Sequence, residues 1–223
     1  MSAGRPRSTS WGSTVVSMAQ RESSEVHHAR FRLPLAGRGG HGALEIVIGD
    51  LTKDTSDAVV IPRADVLGGS MVDLATHRVA GPALLRALRE SAPSSGPVVT
   101  PAFSLPARYV IHVEPTRYVE NPARAAQRLR ACYRDSLALA QRRGFASIAF
   151  PSVATGGLGY PVAEASRVAI EAVVAQVGLG TDPLFVRFVL YGPSTFDVYA
   201  AAALDRLGAP ASPDIGRRAS GTF

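Results

Sequence analysis

Apolar residues change their spacing several times along this chain, and each change predicts an element. Arg30–Leu35 and Leu44–Ile48 alternate as strands do and flank the turn-rich stretch Gly37–Gly42, which predicts a hairpin. Asp57–Ile61 (DAVVI) is a short unbroken apolar run, the pattern of a strand buried on both faces. From Val72 to Arg89 the spacing turns helical through Val72, Ala75, Val79, Leu84, Leu85 and Leu88, and Gly81-Pro82 splits or kinks that run. Arg108–Val113 predicts another strand. Pro122–Arg143 predicts a long amphipathic helix with Leu129, Tyr133, Leu137 and Leu139 or Ala140 on its apolar side. Arg142, Arg143 and Gly144 end it with charges that suit the helix dipole and a glycine cap. Ser147–Phe150 reads as a strand running into a glycine loop, Val162–Val177 as a helix, Leu184–Tyr191 as a last strand and Tyr199–Leu207 as a short closing helix.

Strands alternating with helices imply an α/β fold with a mostly parallel sheet covered on both faces. Residues 1 to about 28 are polar and aperiodic, as disordered tails tend to be. The alternating segments occupy residues 29–208, and Ala209–Phe223 carries Pro, Gly and Ser without periodicity, the composition of a loose tail. No internal repeat is visible.

Composition adds limits. A chain of 223 residues, 46% hydrophobic and 19% charged, suits one domain with a sizeable core. The net charge of +6 invites a nucleic-acid reading, but residues 1–42 hold six arginines against two glutamates, +4 of that total. The remainder is close to neutral, so the charge belongs to a solvated N-terminal flank rather than to a basic face. Cys132 is the single cysteine, which excludes an intrachain disulfide framework and fits a reducing, cytoplasmic compartment. Within its helical pattern it reads as a buried small hydrophobe. No run of eighteen apolar residues exists, so neither a transmembrane helix nor a membrane partner is expected. Residues 1–17 are rich in Ser and Arg and lack the apolar core of a secretory signal, and Met18 could begin the chain. The Ala-, Arg- and Gly-rich usage fits a GC-rich bacterial genome.

Four segments place glycine or a polar group where a buried parallel strand should end, the edge at which open α/β sheets bind ligands. The most informative is Pro151–Pro161 (PSVATGGLGYP), between the strand SIAF and the helix beginning near Val162. Its three glycines allow φ > 0 and present consecutive N–H groups to an anion, Thr155 adds a hydroxyl, and the following helix N-terminus adds partial positive charge. Leu67–Asp73 (LGGSMVD) also opens a helix, and is either a flexible loop or a second clamp on a diphosphate. Asp50, in Gly49-Asp50-Leu51-Thr52, could accept from an adenine amino group beside the Leu51 N–H, or make an ordinary Asx turn. Tyr191, before Gly192-Pro193, could stack on a base or cap the core.

In order, GDLT with DAVV, LGGSMVDLATHRVAGPALL, LPARYVIHV, CYRDSLALA, and SIAFPSVATGGLGYP followed by FVLY resemble the macro domain family over roughly residues 44–205. The resemblance implies a three-layer α/β/α fold with a mixed, mostly parallel central sheet that binds ADP-ribose in a cleft. On it, Asp50 matches the aspartate that recognises adenine and Leu51 its backbone neighbour. Gly68, Gly69 and Ser70 fall in the loop around the proximal phosphate and distal ribose. Thr155, Gly156, Gly157, Leu158 and Gly159 match the diphosphate loop, and Tyr191 the adenine-stacking aromatic.

The departures bear on chemistry. Many hydrolytic members carry Asn-Ala-Ala-Asn after the DAVV-like strand. Here Ile61-Pro62-Arg63-Ala64 stands in that place and Asp65 follows, so the ribose-side asparagine is absent and Asp65 is the polar residue that could partly substitute. GGSM replaces a GGGG-like run, Ala154 stands where serine is usual, and Leu158 where an aromatic often covers the distal ribose. Asp73 matches the aspartate of one hydrolytic class in its VDxAxHRxAG setting, with His77 and Arg78 retained. No His/Cys/Asp spacing suggests a metal, and no cofactor is expected.

Three functions follow as expectations. The first is an ADP-ribosyl hydrolase in which Asp73, helped by Asp65 or a substrate phosphate, positions or deprotonates water at an oxocarbenium-like centre. Asp73 as a plain helix-start residue is the competing reading. The second is a module that binds ADP-ribose or a related nucleotide, free or on protein or nucleic acid, without cleavage. The third is nucleic-acid binding by the basic N-terminal arm.

Overall fold

The structure, a computed structural model, describes residues 30–37, 40–63, 70–91 and 96–208. The expected tails, together with Asp65, Gly68 and Gly69, lie outside those residues. Among the described residues seven strands form one sheet: β1 (Arg30–Gly37), β2 (Gly40–Ile48), β3 (Ala58–Pro62), β4 (Val98–Pro101), β5 (Tyr109–Val113), β6 (Ser147–Phe150) and β7 (Phe185–Leu190). Their order is β1-β2-β7-β6-β3-β5-β4. The inner five run parallel, and each edge strand pairs antiparallel, β1 with β2 and β4 with β5. The described helices are α1 (Met71–Ala80), α2 (Pro82–Glu90), α3 (Pro122–Arg142), α4 (Val162–Leu179) and α5 (Pro193–Leu207).

Alternation along the strands divides the core in two. Ala58 and Val60 of β3, Ile148 and Phe150 of β6, and Val186, Phe188 and Leu190 of β7 face the layer of α3, α4 and α5. Val59, Ile61, Ala149 and Val189 point the other way and meet Ala80 of α1 and Leu84 of α2. Both faces of the inner strands are therefore covered, which is why those strands read as unbroken apolar runs. Beyond α1 and α2 that second face carries charge instead. Buried Glu45 of β2 takes Arg187 of β7 and Arg30 of β1, and Arg187 also reaches Asp54 at 2.9 Å.

Asp57 ties the strand starts together. Its N–H donates to Ser147 Oγ, and its carboxylate accepts from the N–H groups of Ala146 and Ser147 and from Arg108. These bonds hold its pKa below the usual carboxylate range although burial opposes them. Gly42 permits the hairpin to pass Leu184, whose carbonyl any Cβ at that position would strike. Cys132 is buried in the helical layer, and burial pushes its thiol up to about 12, the behaviour of an inert core residue.

Two elements differ from the spacing. Val98–Pro101 forms β4, which the sequence does not announce, because the three residues between Pro97 and Pro101 are too few to show alternation. The last helix begins at Pro193 rather than Tyr199, since proline at its first turn has φ preset for a helix and Phe196 and Tyr199 lie on one buried face. Gly81, at φ 83°, separates α1 from α2 as expected.

Candidate functional site

The carboxyl ends of β2, β7, β6, β3 and β5 lie side by side along one edge of the sheet, so the segments that follow them are neighbours. Asp50 follows β2, and the Gly49 N–H donates to the Leu190 carbonyl, which holds Asp50 beside Tyr191 at the end of β7. Asp50 makes the Asx turn that opens a short 3-10 turn (Leu51–Lys53). Its Oδ1 accepts from the Thr52 N–H at 3.0 Å and from Thr52 Oγ1 at 2.7 Å. The carboxylate is exposed, and Oδ2 has no protein partner among the described residues. Leu51 is buried beneath it. Tyr191 is 96% exposed, so its ring presents both faces to solvent and caps no core.

Next along the edge, the loop after β6 turns between Pro151 and Pro161 into α4, whose N-terminus has no side-chain cap. Gly159 is the one glycine of its three with φ > 0, at 69°, and Ala154 is held in the left-handed region at 68°. A non-glycine residue there costs about 1–2 kcal/mol, so the surroundings must impose it. They do: Tyr160 N–H donates to the Ala154 carbonyl and Gly159 N–H to the Gly156 carbonyl. From below, Tyr133 accepts from the Val153 N–H at 3.3 Å, and Ser152 Oγ lies 3.0 Å from the Tyr199 hydroxyl. The Thr155 hydroxyl is turned back onto Ser152. Among the described residues, no protein acceptor takes the N–H of Gly156, Gly157 or Leu158. Three consecutive amide donors thus stand open beside a helix N-terminus, an arrangement that attracts an anion.

The segment after β5 straps this loop. Tyr118 N–H donates to the Leu158 carbonyl, its hydroxyl donates to Glu164 of α4 at 3.0 Å, and its ring leans on Tyr160. Val119, largely exposed, lies beside Gly159. Sequence reasoning missed this strap, and nothing in its own sequence marks it.

Beyond β6 the edge becomes charged. Arg63 continues β3, donating its N–H to the Val113 carbonyl and pairing its guanidinium with Glu114 at the end of β5. Asp65, Gly68 and Gly69 fall in the stretch outside the described residues. Ser70 caps α1, its hydroxyl accepting from the Asp73 N–H at 3.1 Å. Asp73 is only 2% exposed and lies 3.4 Å from His77 Nε2. The side of α1 facing the sheet is polar there. Thr76 and His77 are buried, His77 faces His112 at 6.4 Å between ring centres, and His112 Nε2 meets Thr100 Oγ1 at 3.0 Å. Burial first, then the electrostatic influence of His77 and Arg63, lowers the His112 pKa to about 3. Among the described residues, Arg63 Nε, Thr76 Oγ1 and the Nδ1 atoms of both histidines are buried without a protein partner.

The structure thus brings Asp50, Tyr191 and residues 155–159 onto one edge and buries Asp73 in the first turn of α1. Among the described residues no group of three His, Cys, Asp or Glu side chains could hold a metal ion.

Comparison with known proteins supplies context for this edge. The family model for the macro domain matches residues 64–169. The O-acetyl-ADP-ribose deacetylase of Salmonella typhimurium is 38% identical, over 70% of this chain and 92% of its own length. A macro domain-containing protein of Streptomyces coelicolor is 35% identical, over 71% of this chain and 96% of its own. Among solved structures, a glycine-to-valine variant of the Oceanobacillus iheyensis macrodomain with ADPR superposes with a TM-score of 0.71 at 32% identity, covering 79% of this chain and 98% of that one.

Proposed function

Since this chain belongs to the macro domain family, we propose that it binds ADP-ribose along the strand-end edge, with adenine, diphosphate and distal ribose laid across successive strands. The three open N–H groups of Gly156, Gly157 and Leu158 carry this reading, because a diphosphate is the part of such a ligand that needs several convergent donors. The order of the edge agrees. Asp50 and exposed Tyr191, on adjacent β2 and β7, suit a purine that is both hydrogen-bonded and stacked. The glycine loop comes next, after β6. Arg63 follows β3 at the ribose end. From β2 to β3 are three strand spacings, about 14 Å at 4.8 Å each.

Hydrolysis of a group carried on the distal ribose, the chemistry named for the Salmonella relative, rests on Asp73 as the water-positioning carboxylate. Asp65, which lies outside the described residues, is the second candidate acid. The burial of Asp73 and its contact with His77 favour a second reading, in which the domain recognises ADP-ribose, free or attached to protein or nucleic acid, without cleaving it.

One experiment separates these readings. ADP-ribose is titrated calorimetrically, and O-acetyl-ADP-ribose and mono-ADP-ribosylated protein are incubated with wild type and Asp73→Ala. Saturable binding with release that Asp73→Ala abolishes supports the hydrolase, and binding without release supports the module. Release that survives Asp73→Ala removes the assigned role, and absence of binding overturns the whole reading.

A further inference from the structure

Tyr133 of α3 and Tyr199 of α5 are fully buried in the aromatic centre of the helical layer, against Phe150 and Phe188. Packing alone does not call for their hydroxyls, since phenylalanines fill equivalent places beside them. A buried hydroxyl demands a partner, and both find theirs in or towards the glycine loop.

The hydrogens in this network can be ordered. The Val153 N–H can only donate, so Tyr133 accepts it at 3.3 Å. The Tyr133 hydrogen then faces the Tyr199 oxygen at 3.5 Å, and the Tyr199 hydrogen is left for Ser152 Oγ at 3.0 Å. Ser152 in turn meets Thr155 Oγ1 at 2.9 Å. Burial raises the pKa of both phenols, so both remain donors. The chain of bonds ends on the residues either side of left-handed Ala154, at the entry to Gly156–Leu158.

We propose that Tyr199 and Tyr133 are positioning residues that hold the 152–155 turn so that the N–H groups of Gly156, Gly157 and Leu158 converge on a diphosphate. This rests on the nucleotide reading of the loop given above. Neither phenol touches the ligand. Asp50 and Tyr191 stand on other strand ends, so the effect belongs to the diphosphate part of the site and not to the adenosine part.

The test uses the full chain with Tyr199→Phe, Tyr133→Phe and Ser152→Ala, the last lying at the loop end of the network where the core is untouched. Amide hydrogen exchange of the bonded loop amides Val153, Gly159 and Tyr160 is measured without ligand, and binding of ADP-ribose and of adenosine is titrated. Tyr199→Phe should speed exchange in the loop while leaving β1–β3 unchanged, and should weaken ADP-ribose about five- to tenfold, the loss of one net hydrogen bond. Adenosine binding should not move, and Ser152→Ala combined with Tyr199→Phe should weaken ADP-ribose no more than either alone. Unchanged loop exchange in Tyr199→Phe and Ser152→Ala overturns the proposal whatever binds. Equal losses for ADP-ribose and adenosine, or faster exchange throughout the sheet, also overturn it by reducing the tyrosines to general packing. Wild type that ignores ADP-ribose while its loop exchange still responds to Tyr199→Phe refutes the nucleotide reading and supports the coupling itself.

Discussion

His112 lies at the centre of the polar cluster under α1, and acidification should act on the protein through it. The imidazole is completely buried, bonded to Thr100 Oγ1 at 3.0 Å and facing His77 and Arg63. Its folded-state pKa of about 3 lies below the ordinary 6.5, so between those values the unfolded chain binds a proton that the folded chain refuses. Stability from this group is therefore complete above pH 6.5 and lost as pH falls through the window towards 3. Integrating the two titrations from pH 7 to pH 5 gives about 2 kcal/mol, approaching about 1.4 kcal/mol per pH unit at the acid end. Urea unfolding at pH 7, 6 and 5 measures it, with His112→Gln as the reference because an amide can keep the bond to Thr100 without titrating. Wild type should lose about 2 kcal/mol more than His112→Gln across that range. Parallel losses in the two proteins, or a wild type that gains stability at pH 5, would refute the reasoning.

Three loop and edge substitutions separate stability from binding. Gly159→Ala places a side chain at φ 69°, with room beside Val119, so its cost is conformational and about 1–2 kcal/mol in thermal or urea unfolding. Gly156→Ala has an ordinary φ and nothing within 4 Å, and should leave unfolding unchanged while weakening ADP-ribose by crowding the phosphate. Equal destabilisation by the two would count against the backbone assignment. Tyr191→Ala, at a side chain 96% exposed, should leave the melting temperature unaltered and cost about 1–3 kcal/mol of ADP-ribose affinity through lost stacking. Unaltered affinity would move the adenine elsewhere.

What the sequence shows of this site is what depends on local pattern. Pro151–Pro161 is legible because a strand, a glycine cluster and a helix follow one another within it, and Asp50 because a polar residue ends an apolar run. Asp73 allows two sequence readings, and its 2% exposure together with the Ser70 cap weighs towards the helix-start role without removing the catalytic one. The supports are invisible because they join distant residues. Ser152 meets Tyr199, Val153 meets Tyr133, and Asp57 gathers Ala146, Ser147 and Arg108. No spacing within a helix or strand encodes such pairs. The glycines, too, work differently from their pattern: Gly159 supplies the left-handed backbone, Ala154 shares that task, and Gly156 leaves open space.

The most direct test of the central claim is an amide-resolved NMR titration of the unlabelled nucleotide into the isotopically labelled full chain. Saturable shifts at the N–H groups of Gly156, Gly157 and Leu158 on adding ADP-ribose, together with shifts at Leu51 and Tyr191, are the predicted result. ADP-ribose that binds while those three amides stay in place, or that does not bind at all, would contradict it.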